Sequence, residues 1–355
     1  MTSDSLLFSS RFRPACHSST RPSHMLSTKL LCLAGALLLL PISQPREVRI
    51  EFREGQVYEM HLELTSESVY EGLMVVEGQE YELEEAFLSS LDDEQEVKLS
   101  QRDEVLEDDG EGRVTRVARE YTRLEQRSVE EGEEVERTGL LVGEPLEGSL
   151  NEEGELELTV LDGEREVDQK FLVHHSLHEF FMPLLPPEAV EPGDSWELDE
   201  EAALEFSLTH DPLYFELPPD LEPDPAFVEQ LRDAAHCEVE VTFEGEVERD
   251  GADCLLLSWL CTIECELDQL PESEEDESSA EEGEMTEELT TSMRITGSLW
   301  IDAGAQFPVA MEVELEGRDT ADIEWTEEGT PLRMELVNET EGRIEVEWEL
   351  LERGR

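Results

Sequence analysis

The sequence predicts a mainly β protein, with a large curved antiparallel sheet or open half-barrel and one or two covering helices. Three patterns lead there. Apolar and acidic residues alternate over long stretches: Ile344, Val346, Trp348 and Leu350 sit between Glu345, Glu347 and Glu349, and Val309, Met311, Val313 and Leu315 sit among Glu312, Glu314 and Glu316. Side chains on a strand point to opposite faces in turn, so a period of two marks a sheet with one buried and one wet face. Turn residues punctuate the alternation at Gly55, Gly78, Asp109-Gly110, Gly132, Asn151 to Gly154 and Asp162-Gly163. From Lys170 to Leu185 the period changes: Val173, Leu177, Phe180, Phe181 and Leu184 fall within about 100° of arc at helical spacing. That is an amphipathic helix placed to cover a sheet or a cavity mouth.

In chain order, residues 1–45 read as a leader. Leu30 to Leu40 is an apolar run of 11 residues preceded by Lys29, too short for the roughly 20 residues that span a bilayer. It fits the h-region of a secretory signal, with Met25 opening the signal-like segment 25–45 after a Ser- and Arg-rich extension. Ala34-Gly35-Ala36 has the letters of a cleavage motif but lies inside the run. The expected address is periplasmic or extracellular, with no transmembrane span in the mature chain.

Residues 46–170 form an N-terminal β half, in which Tyr58, Met60, Leu62 and Leu64 alternate, as do Leu156, Leu158 and Val160. Residues 171–236 are a helix and a Pro-rich connection. Pro192-Gly193-Asp194 turns the chain, Trp196 starts a strand, and Asp224-Pro225 caps a short helix that runs to about Ala235. Residues 237–355 form a C-terminal β half with a disordered acidic insertion at 271–287. After it come elements at 290–301, 308–316 and 320–327, and a hairpin over 332–350. A turn at Gly317 to Asp319 sets Val313 against Ile323 and Glu312 against Glu324, and the last hairpin sets Glu335 against Glu345 and Arg333 against Glu347.

The formal charge of the chain is -67, and lysine occurs only at Lys29, Lys98 and Lys170. Nucleic acid is excluded as a general partner, because binding phosphate needs the opposite sign. Like charges opposed across a sheet repel, so the wet face calls for salt, diffuse divalent cations or mildly acidic pH. The basic-rich stretch Arg113, Arg116, Arg119, Arg123 and Arg127 reads as a neutraliser of neighbouring Glu-rich strands.

Outside the leader the cysteines are Cys237, Cys254, Cys261 and Cys265. Residues 237–248 and 254–267 read as strands joined by Asp250-Gly251-Ala252. A three-residue loop places Phe243 opposite Trp259 and Val241 opposite Cys261, apolar on apolar. The same register puts Cys237 opposite Cys265, a candidate disulfide in an exported protein. Their spacing matches no common zinc pattern. His174, His175 and His178 form H-H-x-x-H without the intervening glutamate of a zinc protease, and read as polar residues beside the apolar stripe. No catalytic residues, metal site or cofactor are assigned. With 92 acidic residues, any carboxylate pair picked by eye is expected by chance.

The segment Leu185-Pro186-Pro187-Glu188-Ala189-Val190-Glu191-Pro192-Gly193-Asp194-Ser195-Trp196 and the stretch Gly297-Ser298-Leu299-Trp300-Ile301-Asp302-Ala303-Gly304 resemble recurrent patterns in exported bacterial β-rich proteins of the planctomycete type. The resemblance runs over roughly residues 50 to 350. More distantly, the order of elements is similar to lipoprotein-carrier half-barrels of the LolA/LolB type, in which a curved sheet and covering helices enclose an acyl-binding cavity. That analogy implies a non-enzymatic binding or carrier module of the envelope, holding a hydrophobic ligand against Val173, Leu177, Phe180, Phe181, Phe243 and Trp259. The competing expectation is a structural or interaction protein with a solid β core and a cation-dependent acidic face. The aromatic residues discriminate: they line a cavity in the first case and are fully packed in the second.

Overall fold

A computed structural model describes residues 45–76, 78–83, 85–88, 91–110, 112–130, 133–150, 156–161, 172, 181–208, 230, 232–267, 286–327 and 330–354. The chain divides into two units, Met1–Gln44 and Pro45–Arg355, and the description below concerns the second. Its strands are β1 (Val57–Val76), β2 (Gln79–Glu82), β3 (Asp93–Asp108), β4 (Val114–Glu130), β5 (Glu133–Thr138), β6 (Pro145–Leu150), β7 (Leu156–Val160), β8 (Ser195–Glu197), β9 (His236–Arg249), β10 (Ala252–Leu267), β11 (Thr286–Asp302), β12 (Phe307–Glu327) and β13 (Thr330–Glu352). Two short helices have described bounds, α1 (Glu85–Leu88) and α2 (Glu200–Leu208), with a 3-10 turn at Met182–Leu184; residues 230 and 232–234 are also helical, where the short helix after Asp224-Pro225 was expected to end.

All thirteen strands form one sheet in the order β7-β6-β4-β3-β1-β13-β12-β11-β10-β9-β8, with β2 also pairing β1 and β5 also pairing β4. The ladders between strands are antiparallel, as short turns between sequential neighbours require. The sheet is open, with β7 and β8 as its edges. The two β halves meet at its centre, where β1 pairs with β13 from Val57 to Val76.

Several strands are longer than expected. β12 runs straight through Gly317 to Asp319, and β13 runs straight through 337–343. The two expected hairpins are therefore single strands, and their partners change. Val313 faces Ile344, Glu312 faces Glu345, Glu314 faces Arg343, Asp322 faces Glu335, and Glu324 faces Arg333. The sequence shows the reason in retrospect. Val313, Leu315, Gly317, Ala321, Ile323 and Trp325 never leave the odd phase, so nothing in the alternation demands a reversal.

One face of the sheet carries a single apolar cluster drawn from both edges and the centre: Leu158, Val117, Val97, Met60, Trp348, Leu299, Trp259 and Val239 all belong to it. Chain outside the strands closes it. Val48, Ile50 and Phe52 come from the segment before β1, Phe181, Leu184 and Val190 from the segment before β8, and Ala203 from α2. The sheet and these covering segments bury this layer. Beyond it the far ends of β1, β12 and β13 project, and inner-face residues such as Met74, Met334 and Trp325 are half-buried there.

The segment Val190 to Trp196 is fixed by backbone bonds to β9. Gly193 N–H donates to Phe243 O at 2.7 Å, Phe243 N–H donates to Asp194 O at 2.9 Å, and Trp196 pairs with Val241. Gly193 has φ +91°, which glycine adopts without a Cβ penalty. Asp302, in the second resembling stretch, accepts from the N–H groups of Gly304 and Ala305 at 2.7 and 2.6 Å, an Asx turn that leads into β12.

Most of the predicted helix over Lys170 to Leu185 lies outside the described residues, as do His174, His175 and His178. Its described end is a turn and a 3-10 helix. Most of the insertion at 271–287 also lies outside them, although β11 begins at Thr286. Helix α2 has no counterpart in the sequence reading. Asp199 Oδ1 caps it by accepting from Ala202 N–H at 3.0 Å, and Glu200 and Glu201 fill its first turn, where the helix dipole favours negative charge.

Candidate functional site

Three constellations carry chemistry. The first lies at the expected ligand cavity. Phe181 and Phe243 are fully buried and Trp259 is 4% exposed. Phe181 packs edge-on against Trp348 with ring centroids 5.6 Å apart, and Phe206 packs edge-on against Trp259 at 5.9 Å. Val173, Leu177 and Phe180 lie outside the described residues. The described aromatics are buried and packed against other rings under the sheet.

The second is a buried polar network under β3 and β4. Arg119 and Asp103 form an ion pair with both side chains at 0% exposure. Arg119 Nε donates to Asp103 Oδ1 at 3.0 Å, and its Nη2 donates to Oδ2 at 2.9 Å, the bidentate geometry of the strongest carboxylate pairs. Gln101 Nε2 at 3.0 Å and Tyr58 OH at 3.2 Å also donate to Oδ2. Burial alone would lower the pKa of Arg119, but the Asp103 charge, Tyr121, the hydrogen bonds to Asp103, and Tyr58 together outweigh it and raise that pKa well above its ordinary value. Sequence reasoning grouped Arg119 with the surface arginines. Its neighbours do behave that way: Arg116 pairs with Glu147 at 2.9 Å, Arg123 with Glu125 at 2.7 Å, and Arg127 with Glu136 at 2.7 Å. A signal for the difference existed, because Gln101 and Asp103 continue the apolar phase of Val97, Leu99 and Val105 on β3.

The third is a pair of thiols beneath α2, and the register there differs from the one on which the expected disulfide was drawn. Asp250 and Gly251, with φ 53° and 84°, make a two-residue turn, where a three-residue loop was expected. A bulge on β9 at Glu244-Gly245, opposite Leu256 and Leu257, then moves the register once more. Phe243 faces Leu257, Val241 faces Trp259, Val239 faces Cys261 and Cys237 faces Ile263. Cys265 is therefore not the register partner of Cys237. The four cysteines are thiols, and the sulfur beside Cys237 is that of Cys261, at 3.6 Å. Ser207 Oγ of α2 lies 2.9 Å from Cys237 Sγ and 3.2 Å from Cys261 Sγ.

On the solvent face, carboxylates oppose one another across adjacent strands. Glu94 of β3, Glu67 of β1, Glu341 of β13 and Glu316 of β12 form one row, each the register partner of the next. Glu63, Glu345 and Glu312 form another. Arginines interrupt the rows elsewhere. Arg333 bridges Asp322, Glu335 and Glu324, and its hydrogen bond to Asp322, then the surrounding carboxylates, raise its pKa above the ordinary value. An open groove of 880 Å³ is lined in part by Glu67, Glu94, Glu316 and Glu341 with Arg127 and Arg343. Among the described residues no group of three or more His, Cys, Asp or Glu is placed to hold a metal ion, and no helix is long and apolar enough to cross a membrane.

No family model and no curated protein matches the chain. Among solved structures, the secretin-domain β-barrel of InvG from a Salmonella injectisome is similar at 8% identity, over 92% of this chain and 69% of that chain, with a TM-score of 0.17. A triple mutant of the Rhodopseudomonas blastica porin is similar at 7% identity, over 80% of this chain and 99% of that one, with a TM-score of 0.12. The outer-membrane protease OmpT from Escherichia coli is similar at 7% identity, over 84% and 99%, with a TM-score of 0.14. TM-scores this low bear on neither topology nor function.

Proposed function

We propose that this chain is an exported, non-enzymatic interaction protein of the bacterial envelope, with a solid β core and an acidic face that meets cations or a cationic partner. The observation that carries this reading is the row Glu94, Glu67, Glu341 and Glu316, set opposite one another across four neighbouring strands. Directly opposed like charges cost each pair some stability, and a cation or cationic partner drawn to the face offsets that cost. A cation here is held by the field of the whole face, since no chelating cluster is described. The full packing of Phe181, Phe243 and Trp259 favours the solid core over the carrier cavity. Export rests on the signal-like segment 25–45, and the envelope rests on the family resemblance.

The test is thermal melting of the full chain at low ionic strength, in molar sodium chloride, and in millimolar calcium chloride. Tm rises in both salts, and more per unit of ionic strength in calcium. A Tm that stays the same in all three would overturn the reading. Native mass spectrometry after purification without detergent addresses the carrier: a stoichiometric hydrophobic adduct would restore it.

A further inference from the structure

We propose that Cys237 and Cys261 are an oxidisable dithiol, closing to a cross-strand disulfide between β9 and β10 beneath α2 when a protein or low-molecular-weight disulfide reaches them. The sulfur contact selects this pair. Cys237 sits two residues along β9 from Val239, the register partner of Cys261, so the two cysteines are diagonal neighbours on one face of an antiparallel pair. Their sulfurs are 3.6 Å apart, and a bond of about 2.05 Å needs only a further approach of about 1.5 Å. Cys265 occupies the other diagonal, two residues along β10 from Ile263, the register partner of Cys237, but the sulfur at 3.6 Å from Cys237 is that of Cys261.

The surroundings set the order of events. Cys237 is the more exposed of the two, at 3% against full burial of Cys261, and Cys261 and Ser207 lie within hydrogen-bond reach of its sulfur. The hydrogen bond from Cys261 lowers its pKa to about 7, against the opposing effect of burial and with help from Ser207. The same contact, then burial, pushes Cys261 upward. The thiolate is the attacking species in exchange. Cys237 loses its proton and attacks one sulfur of the incoming disulfide, breaking that S–S bond and expelling one thiolate. The Cys261 thiol then loses its proton and attacks the Cys237 sulfur of the mixed disulfide, expelling the second thiolate. The two cysteines give up two protons and two electrons, and the incoming disulfide ends as two thiols.

Access is the gate. Cys237 is 3% exposed and Cys261 is fully buried, and the cover is α2, whose Ala203 and Ser207 rest on them. A nine-residue helix is marginal without its packing partner, so local opening of α2 costs less than global unfolding. The reaction therefore proceeds from the folded protein, through release of this one helix.

The full chain is incubated with oxidised glutathione under native conditions, alkylated in denaturant, digested and mapped by mass spectrometry. The expected product is a peptide pair linked through Cys237 and Cys261 that has lost two hydrogens, with Cys254 and Cys265 alkylated. Alkylation of both Cys237 and Cys261, at a glutathione poise that oxidises an exposed reference dithiol, overturns the proposal, as does a link from Cys237 to Cys265. The order of attack is read from two variants. Cys261→Ser retains glutathione on Cys237, whereas Cys237→Ser leaves Cys261 unmodified; the reverse pattern overturns the assignment of Cys237 as nucleophile. Should either variant fail to fold, the map of the unaltered chain still decides the pairing.

Discussion

At Asp103 a carboxylate gives up all contact with water, and Arg119, Gln101 and Tyr58 take the place of its hydration. Such a pair is expensive to break and cheap to replace whole. Arg119→Met alone leaves the Asp103 charge buried without its counter-ion, and is expected to cost about 3–5 kcal/mol in urea denaturation. Pairing it with Asp103→Leu should recover most of that loss, and a double-mutant cycle measures the coupling. Cys237 supplies a pH dependence at the same scale. Its folded pKa, about 7, lies below the ordinary thiol value of 9.0. Its stabilising contribution is therefore fully present above 9.0 and is lost as pH falls through about 7. Against Cys237→Ser, the unaltered chain under reducing conditions should gain relative stability between pH 6 and pH 9, roughly across that window; equal stability differences at both pH values would contradict the assignment.

Elements here are long strands that meet at close quarters wherever a glycine permits it. Gly297 of β11 faces Trp259 of β10, and a Cβ at Gly297 would stand 2.0 Å from the indole ring. Gly297→Ala is expected to lose about 1–3 kcal/mol by overpacking, and its fluorescence should report a displaced tryptophan. The β9–β10 hairpin shows how far an element can be read in advance. The strands and their buried face were legible because alternation fixes which side each residue occupies. The register was not, because a shift of two residues returns every side chain to the same face. Val241 meets an apolar partner opposite Cys261, as expected, and equally opposite Trp259, as found. The turn at Asp250-Gly251 and the bulge at Gly245 chose between them.

For the molecule as a whole, a charge of -67 on one continuous sheet makes solution conditions part of its stability. Repulsion among exposed carboxylates is screened over about 10 Å at 0.1 M salt, so melting should be most salt-sensitive in the low-salt range. Glu67→Gln with Glu341→Gln removes two neighbours from the longest described row. It should raise Tm at low salt and flatten the salt response; a variant with an unchanged salt slope would place the sensitivity elsewhere on the surface.

The sequence by itself determined the mainly β class, the open antiparallel sheet with its apolar face turned inward, and the acid carpet on the other face, since each follows from a local period of two and from residue charge. Only the tertiary structure decided that the last strands do not turn back, that Arg119 is buried while Arg116, Arg123 and Arg127 are not, and that Cys237 meets Cys261 under an unforeseen helix. Each of these depends on which distant segment packs against a strand, and a period of two repeats identically for every register that preserves the face.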